Sequence, residues 1–226
     1  MRAALAFAFL AIPIRAFAAD ASHPTVVELF QSQGCSSCPP ANAALARYAD
    51  RPDILALTFA VTYWDRLGWK DTFARPEYTE RQYSYGRSLG DGGVYTPEVV
   101  VNGRAAGVGD DVAEVEGLAT RTDRGSSGPG LAIEGEAVSI GAGQAPAGGA
   151  DVWLALYDPR VLEVPVARGE NAGRTLSHRN VVKRLVRLGS WDGAGERLAL
   201  PSSGGLARAV LVQRRGAGPI LAATRG

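Results

Sequence analysis

The chain contains two cysteines, Cys35 and Cys38, which stand three positions apart. An apolar run typical of a buried strand, residues 25–30, precedes them. A segment typical of a helix, residues 39–48, follows and has proline in its first turn. The macrodipole and the free backbone N–H groups at a helix N-terminus favour thiolate over thiol. Because a thiolate is the form that attacks a disulfide, this arrangement predicts a redox-active dithiol.

Two other interpretations of the cysteine pair stay open. One is a small structural disulfide. The chain-entropy model gives a loop of about four residues roughly 2 kcal/mol, against about 4.7 kcal/mol for a loop of about 100 residues. The other is half of a metal site, which needs two more ligands. The two histidines, His23 and His178, are distant from the cysteines in sequence. We therefore favour the dithiol and expect no bound metal or cofactor.

The N-terminus has the pattern of a signal peptide over residues 1–19. Arg2 supplies a positive charge, residues 3–14 are almost wholly apolar, and residues 16–18 fit a cleavage site before Ala19 or soon after. The apolar run is too short to span a bilayer, and no later stretch is long enough for a membrane helix. We expect a periplasmic or secreted protein with no integral membrane segment in the mature chain. A retained anchor is the alternative, because Arg15 lies close to the cleavage site.

The charge of the chain is close to neutral. Its formal net charge is +1, and removal of Arg2 and Arg15 with the signal peptide would take it to about −1 (+1 less 2). A neutral chain gives no reason to expect nucleic acid or an anionic membrane as a partner. An exported compartment preserves disulfides, so we expect exported protein thiols or disulfides as partners. Because there is no third cysteine, a redox cycle would also need an external electron-transfer partner.

Patterning divides the mature chain into two parts. Residues 22–122 alternate strand and helix, and two continuous apolar runs separated by a helix predict a parallel pair of buried strands. An Asn-Gly turn at 102–103 predicts a hairpin, and Asp110 is placed to cap a closing helix. Residues 123–130 have the composition of a linker. Residues 131–226 contain short apolar segments between Gly- and Pro-rich turns, which predicts an all-β antiparallel, sandwich-like domain.

The order of these elements resembles the thioredoxin fold, with Thr96-Pro97 at the position of that superfamily's cis-proline. Four segments resemble more narrowly the exported family DUF1223, a domain of unknown function: residues 27–40, 63–71, 95–97 and 169–174. The resemblance covers nearly the whole mature chain. It implies an α/β thioredoxin-like domain followed by the β-rich domain.

The resemblance also implies roles for individual residues. Cys35 matches the attacking cysteine, which we expect at an exposed turn, and Cys38 the more buried resolving cysteine. Pro97 matches the cis-proline, which would leave the Thr96 backbone free to pair with an extended substrate; an ordinary trans proline is the alternative. Glu28 resembles the buried acid that assists proton transfer, with a pKa raised by burial. The alternative is a structural carboxylate bonded to the backbone or to an arginine.

Two further groups of residues are candidates for binding. Tyr63, Trp64 and Trp69 belong to an aromatic-rich segment that could bind a partner polypeptide beside Cys35; the alternative is a segment that caps the core. A polar group in the second half predicts a ligand site or an edge that docks on the first half, or else a long connection between strands. It comprises Glu170, Asn171, Gly173, Arg174, His178 and Asn180.

We therefore interpret the chain as an exported thiol–disulfide oxidoreductase. The dipeptide Ser36-Ser37, Pro39 and Gly34 depart from thioredoxin's own residues, so the direction of electron flow is not predicted. One alternative is a non-enzymatic protein-binding module whose disulfide stays oxidised. The other is the handling of Cu(I) or another metal through the two thiols.

Overall fold

The computed structural model describes residues 19–90 and 93–226, so all but the last residue of the signal peptide predicted at 1–19 lies outside the described residues. Within the described ranges the chain forms three α-helices, a 3-10 turn and thirteen strands. They are β1 Thr25–Gln31, α1 Cys38–Tyr48, β2 Ile54–Ala60, the turn Asp65–Leu67, α2 Pro76–Leu89, β3 Glu98–Val101, β4 Ala105–Val108, α3 Val112–Arg121, β5 Leu131–Glu134, β6 Ala137–Ile140, β7 Ala150–Asp158, β8 Leu162–Pro165, β9 Thr175–His178, β10 Val181–Trp191, β11 Glu196–Ala199, β12 Ala207–Arg214 and β13 Ile220–Arg225.

The main sheet has eight strands in the order β13-β12-β7-β10-β2-β1-β3-β4. Strands β1 and β2 pair in parallel, as their continuous apolar runs predicted, whereas β3 pairs antiparallel with β1 and with β4. The chain is therefore a mixed α/β protein with a large β-rich part. Strand β10 joins β2 at Val181 and Thr58, so one sheet runs through both halves of the chain. The predicted linker, residues 123–130, lies between α3 and β5.

Strand β1 sends alternate side chains to the two faces of the sheet. Val26 and Phe30 pack with α2, while Val27 and Leu29 pack with α1 and α3. This alternation follows from the period of two along a strand. Glu28 therefore lies on the α2 face, opposite the helix that begins at Cys38.

The β-rich half covers the outer part of the same sheet. Strands β11, β6 and β5 form a second, antiparallel sheet, and its Val138 packs in a common core with Leu154 and Trp191 of the main sheet. The capping residue of α3 is Asp111 rather than the predicted Asp110, because its side chain accepts from the N–H groups of Ala113 and Glu114.

Strands β8 and β9 form a separate hairpin between the two halves. The connection between them, residues 166–174, returns on itself through hydrogen bonds from Val166 N to Arg174 O and from Gly173 N to Val166 O. Strand β9 packs against α1, which brings the connection over the cysteine motif. In the ranges 19–90 and 93–226, no helix has the length and hydropathy needed to cross a membrane.

Candidate functional site

Cys35 and Cys38 are joined by a disulfide, with Cα atoms 5.4 Å apart. Cys35 lies in the loop after β1, and α1 begins at Cys38 with Pro39 in its first turn. The Cys38 N–H donates to the Cys35 carbonyl at 3.2 Å, which closes the turn between the two cysteines. The side chain of Ser37, the N-cap residue, makes no capping hydrogen bond, and the first turn of α1 carries no acidic residue of its own.

Both cysteines are fully buried, at 0% exposure, while Ser36 and Ser37 between them are exposed. The prediction that Cys35 lies at an exposed turn is therefore wrong. Residues from the second half of the chain are bonded to the loop that carries Cys35. Gly169, Glu170 and Asn171 are called the capping tip below.

The capping tip is bonded directly to the cysteine loop. Asn171 Nδ2 donates to the carbonyls of Gln33 at 3.0 Å and Cys35 at 2.8 Å. The Ser36 N–H donates to Glu170 Oε2 at 3.0 Å. Arg174 Nη1 donates to Asn171 Oδ1 at 2.7 Å, which orients the Asn171 amide. Part of the polar group predicted in the second half thus docks on the cysteine motif.

Gly169 allows the capping tip to approach the aromatic segment closely. Its φ is +79°, a conformation that residues with a side chain rarely adopt, and a Cβ there would lie 3.3 Å from Trp69 Cβ. Asn180, from the same predicted group, has another role: its Nδ2 donates to the Ala56 carbonyl at 2.8 Å and fixes the turn between β9 and β10.

The Thr96–Pro97 peptide bond is cis, as the resemblance implies, and it lies beside the disulfide. Ser37 Oγ donates to the Thr96 carbonyl at 3.5 Å and lies 3.3 Å from Cys35 Sγ. Trp64 Nε1 donates to Thr96 Oγ1 at 2.8 Å. Ser37 therefore connects the Cys35 sulfur to the loop that carries the cis-proline.

The aromatic segment contacts the cysteine loop from the other side. Trp69 Nε1 donates to Gln33 Oε1 at 2.9 Å, and the Gln33 N–H donates to Asp71 Oδ2 at 2.7 Å. Burial raises the pKa of Asp71 despite these bonds, and burial raises the pKa of Tyr63 to about 12. Both indoles have hydrogen-bonded N–H groups, so Trp64 and Trp69 support the loop; their binding of a partner stays a prediction.

Glu28 is fully buried and belongs to a closed charge network on the α2 face. Arg81 donates to both its carboxylate oxygens, at 2.7 and 3.0 Å, and the Tyr85 hydroxyl donates to Oε2. Gln213 Nε2 donates to the Tyr85 oxygen at 2.9 Å. Burial raises the pKa of Tyr85 well above its usual value. This geometry fits the alternative in which Glu28 is a structural carboxylate bonded to an arginine. The proposed function therefore assigns no proton transfer to Glu28.

A buried polar cluster lies on the α1 face, at Gln31, Asn42 and His178. Asn42 follows Cys38 by one helical turn, and its Nδ2 lies 3.5 Å from Gln31 Oε1 and 3.3 Å from His178 Nδ1. Burial, with a contribution from Lys183, lowers the pKa of His178 to about 4, so the imidazole is neutral at pH 7. Within the described part of the chain, three atoms of this cluster have no hydrogen-bond partner: Gln31 Nε2, Asn42 Oδ1 and His178 Nε2. Asn42 and Gln31 had no catalytic signature in the sequence.

Among the residues that the structure describes, no group of three or more His, Cys, Asp or Glu side chains could hold a metal ion. A metal role would therefore depend on the two thiols of the reduced protein. That possibility stays a prediction from the sequence.

Comparison with known proteins gives the chain a family. Residues 26–213 match the family described as a protein of unknown function, DUF1223. An Agrobacterium tumefaciens protein with an X-ray crystal structure is 36% identical, with a TM-score of 0.74 over 89% of this chain and 92% of that one. HBP35 of Porphyromonas gingivalis shares the fold alone, at 12% identity, with a TM-score of 0.60 over 91% of this chain and 75% of that one. No curated protein matches the sequence. The chain is a member of the DUF1223 family.

Proposed function

We propose that this protein is a thiol–disulfide oxidoreductase whose N-terminal half is thioredoxin-like. One observation carries the proposal: the Cys35–Cys38 disulfide stands at the N-terminus of α1, beside a cis Thr96–Pro97 bond. The order of elements along the chain, β1-α1-β2-α2-β3-β4-α3, supports the assignment because it is the order on which the thioredoxin resemblance rests.

The reduced protein would donate electrons in two exchanges. The Cys35 thiolate attacks a partner disulfide, so a bond forms between Cys35 and one partner sulfur while the partner's S–S bond breaks. Cys38 loses its proton and attacks Cys35, which reforms the internal disulfide and releases the second partner thiol. Two electrons and two protons pass to the partner. An external dithiol protein returns them, because the chain has no third cysteine.

The surroundings of Cys35 suit these exchanges. Ser37 Oγ, 3.3 Å from Cys35 Sγ, is placed to donate a hydrogen bond to the thiolate. The Thr96 backbone lies beside it and is the proposed pairing site for an extended partner segment. Since Cys35 is covered, the capping tip must shift before a partner sulfur can reach it. Three side-chain hydrogen bonds hold Glu170 and Asn171 there, and a local opening needs far less free energy than global unfolding.

We also propose that the chain acts outside the cytoplasm. The sequence pattern of residues 1–19 supports export, and a CxxC pair finds oxidised and reduced partners in a compartment where disulfides persist. The proposed partners are exported proteins that carry thiols or disulfides.

A second candidate function has its own support. Both cysteines are fully buried and the capping tip is bonded across them, which suits a module whose disulfide stays oxidised and whose role is binding alone. The two candidates differ in whether Cys35 forms covalent adducts with other proteins.

Trapping tests the choice between the candidates. Cys38→Ala should accumulate mixed disulfides with exported proteins when it is expressed with its signal sequence, because the resolving thiol is gone. Cys35→Ala is the matched control and should accumulate few. Adducts would be separated on non-reducing gels and identified by mass spectrometry. If neither variant forms adducts and the Cys35 thiol titrates near its ordinary value of about 8.5, the oxidoreductase proposal fails.

A further inference from the structure

The N-terminus of α1 receives its negative charge from a distant part of the chain. Helix N-termini favour anions, yet α1 has no acid in its first turn and no side-chain cap at Ser37. Glu170, 134 residues away from Ser36, accepts the Ser36 N–H instead. The carboxylate is exposed, and hydrogen bonds from Ser36 hold the pKa of Glu170 below its usual value, so it is charged at neutral pH.

The Glu170 carboxylate binds the N–H of Ser36, and the Cys35 thiolate would form on the residue next to Ser36. Asn171, next to Glu170, donates to the Cys35 carbonyl, so the capping tip stays at the cysteine loop while that bond holds. Two negative charges would then share one helix N-terminus. Other charged residues stand close in sequence to the groups that surround Glu170: Arg168 and Arg174 on the same connection, and Asp65, Arg66, Lys70 and Asp71 on the segment whose Leu67 and Trp69 lie beside Gly169.

We propose that Glu170 sets the reduction potential of the Cys35–Cys38 pair by opposing the Cys35 thiolate. The inference rests on the proposed function and deepens it, because it names a residue that tunes the redox equilibrium of the same site. A carboxylate that destabilises the thiolate favours the disulfide, which makes the dithiol the stronger reductant. Glu170 therefore shifts the protein towards donating electrons to partner disulfides.

Ser37 has the opposite effect on the Cys35 thiolate. Its hydroxyl lies 3.3 Å from Cys35 Sγ and would stabilise the thiolate by turning its one proton from the Thr96 carbonyl to the sulfur. Ser37→Ala should therefore raise the pKa of Cys35, whereas neutralising Glu170 should lower it. A purely structural role for either residue would not give shifts of opposite sign.

The test compares Glu170→Gln with Glu163→Gln in the full mature chain. Glutamine keeps an oxygen that can accept the Ser36 N–H, so the substitution isolates the charge. Glu163 is an exposed glutamate on β8 of the same hairpin, remote from the capping tip, and serves as the control. The pKa of Cys35 would be measured from the pH dependence of alkylation, and the redox equilibrium in glutathione or dithiothreitol buffers.

We expect Glu170→Gln to lower the pKa of Cys35 by about half a unit to one unit. At a pH above the pKa of Cys35 in both proteins, the equilibrium constant for forming the disulfide should fall by roughly three- to tenfold, which raises the reduction potential by about 15–30 mV. Added salt should reduce the difference between the wild type and Glu170→Gln, because the carboxylate is exposed. Glu163→Gln should match the wild type.

Two results would overturn the inference: a Glu170→Gln protein that matches the wild type in both quantities within twofold, or one in which the pKa of Cys35 rises. Failure of the proposed function looks different. In that case wild-type Cys35 forms no mixed disulfide, whereas the Glu170 shift is still measurable in dithiothreitol buffers, since the equilibrium needs no natural partner.

Discussion

The two faces of the sheet at β1 differ in how their buried polar side chains are paired. On the α2 face, Glu28 meets Arg81 and Tyr85 in a network where its charge is matched. On the α1 face, Gln31 meets Asn42 and His178, which carry no charge at pH 7 and keep unpartnered polar atoms. A charged side chain in the protein interior needs an oppositely charged partner that is hydrogen-bonded to it. A neutral polar group without a partner costs less than an unpaired charge, and buried polar atoms of this kind can bind a water molecule.

The charged network on the α2 face should give the largest effect on stability. Arg81→Met leaves the Glu28 carboxylate buried without its guanidinium, so we expect the free energy of unfolding to fall by about 3–5 kcal/mol. Urea unfolding of the oxidised protein would measure it. Arg87→Met on the same helix is the control, because its pair with Glu80 is exposed and should contribute less than about 1 kcal/mol.

The same variants test whether the α2 face is purely structural. The reduction potential of Arg81→Met should equal that of the wild type. A potential shift as large as that expected for Glu170→Gln, or a stability loss below about 1 kcal/mol, would remove the contrast between the two faces.

The polar cluster on the α1 face should appear as a pH dependence of stability. The pKa of His178 is about 4 in the folded chain, below the ordinary value of 6.5, so the unfolded chain binds the proton more readily. The stability contributed by His178 is fully present above about pH 6.5 and is lost as pH falls towards 4. The full difference corresponds to about 3 kcal/mol.

His178→Gln should remove most of that slope, as measured by urea unfolding between pH 4 and 7. His23→Gln is the matched control, because His23 lies in a solvent-exposed pair with Asp20 and should leave the slope unchanged. An unchanged slope in His178→Gln would mean that the cluster accepts a proton without cost.

The capping tip should have the smallest effect on stability and a distinct effect on reactivity. Asn171→Ala removes two bonds to the cysteine loop, so we expect about 1–2 kcal/mol less stability and a several-fold faster reduction of the disulfide by dithiothreitol. Stopped-flow tryptophan fluorescence would follow the reduction, since Trp69 contacts the tip.

Asn180→Ala provides the comparison for the capping tip. Asn180 makes a bond of similar length to the Ala56 carbonyl, but in the turn between β9 and β10. The Asn180→Ala variant should have a lower free energy of unfolding, but its disulfide should be reduced no faster than that of the wild type. Equal reduction rates in both variants and the wild type would show that the tip does not limit access to Cys35.

Local patterns predicted the parts of the site that depend on nearby residues. The strand before Cys35, the helix after Cys38 and the cis Thr96–Pro97 bond all come from short segments with strong preferences or family resemblance. The surroundings of Cys35 could not be predicted this way, because they include a loop more than 130 residues later in the chain that is bonded to Cys35 and Ser36. Nothing local in residues 169–171 fixes where that loop lies.

The sequence carried a weak signal of the face of the sheet on which Glu28 lies. Alternation along β1 puts it on the same face as Val26 and Phe30, away from α1, and one residue of spacing decides the face. The pairing of Arg81 with Glu28 could not be predicted from the sequence, because it joins α2 to β1 across 53 positions. Composition alone could not separate a catalytic acid from a paired one.

The reduction potential of the wild-type Cys35–Cys38 pair tests the central claim most directly. We predict a reversible two-electron equilibrium in glutathione buffers, with a potential above about −300 mV, because a working dithiol must cycle between both states. A pair that resists reduction in the folded protein, with a potential below about −300 mV, would contradict the account. The disulfide would then be structural, and the second candidate function would replace the first.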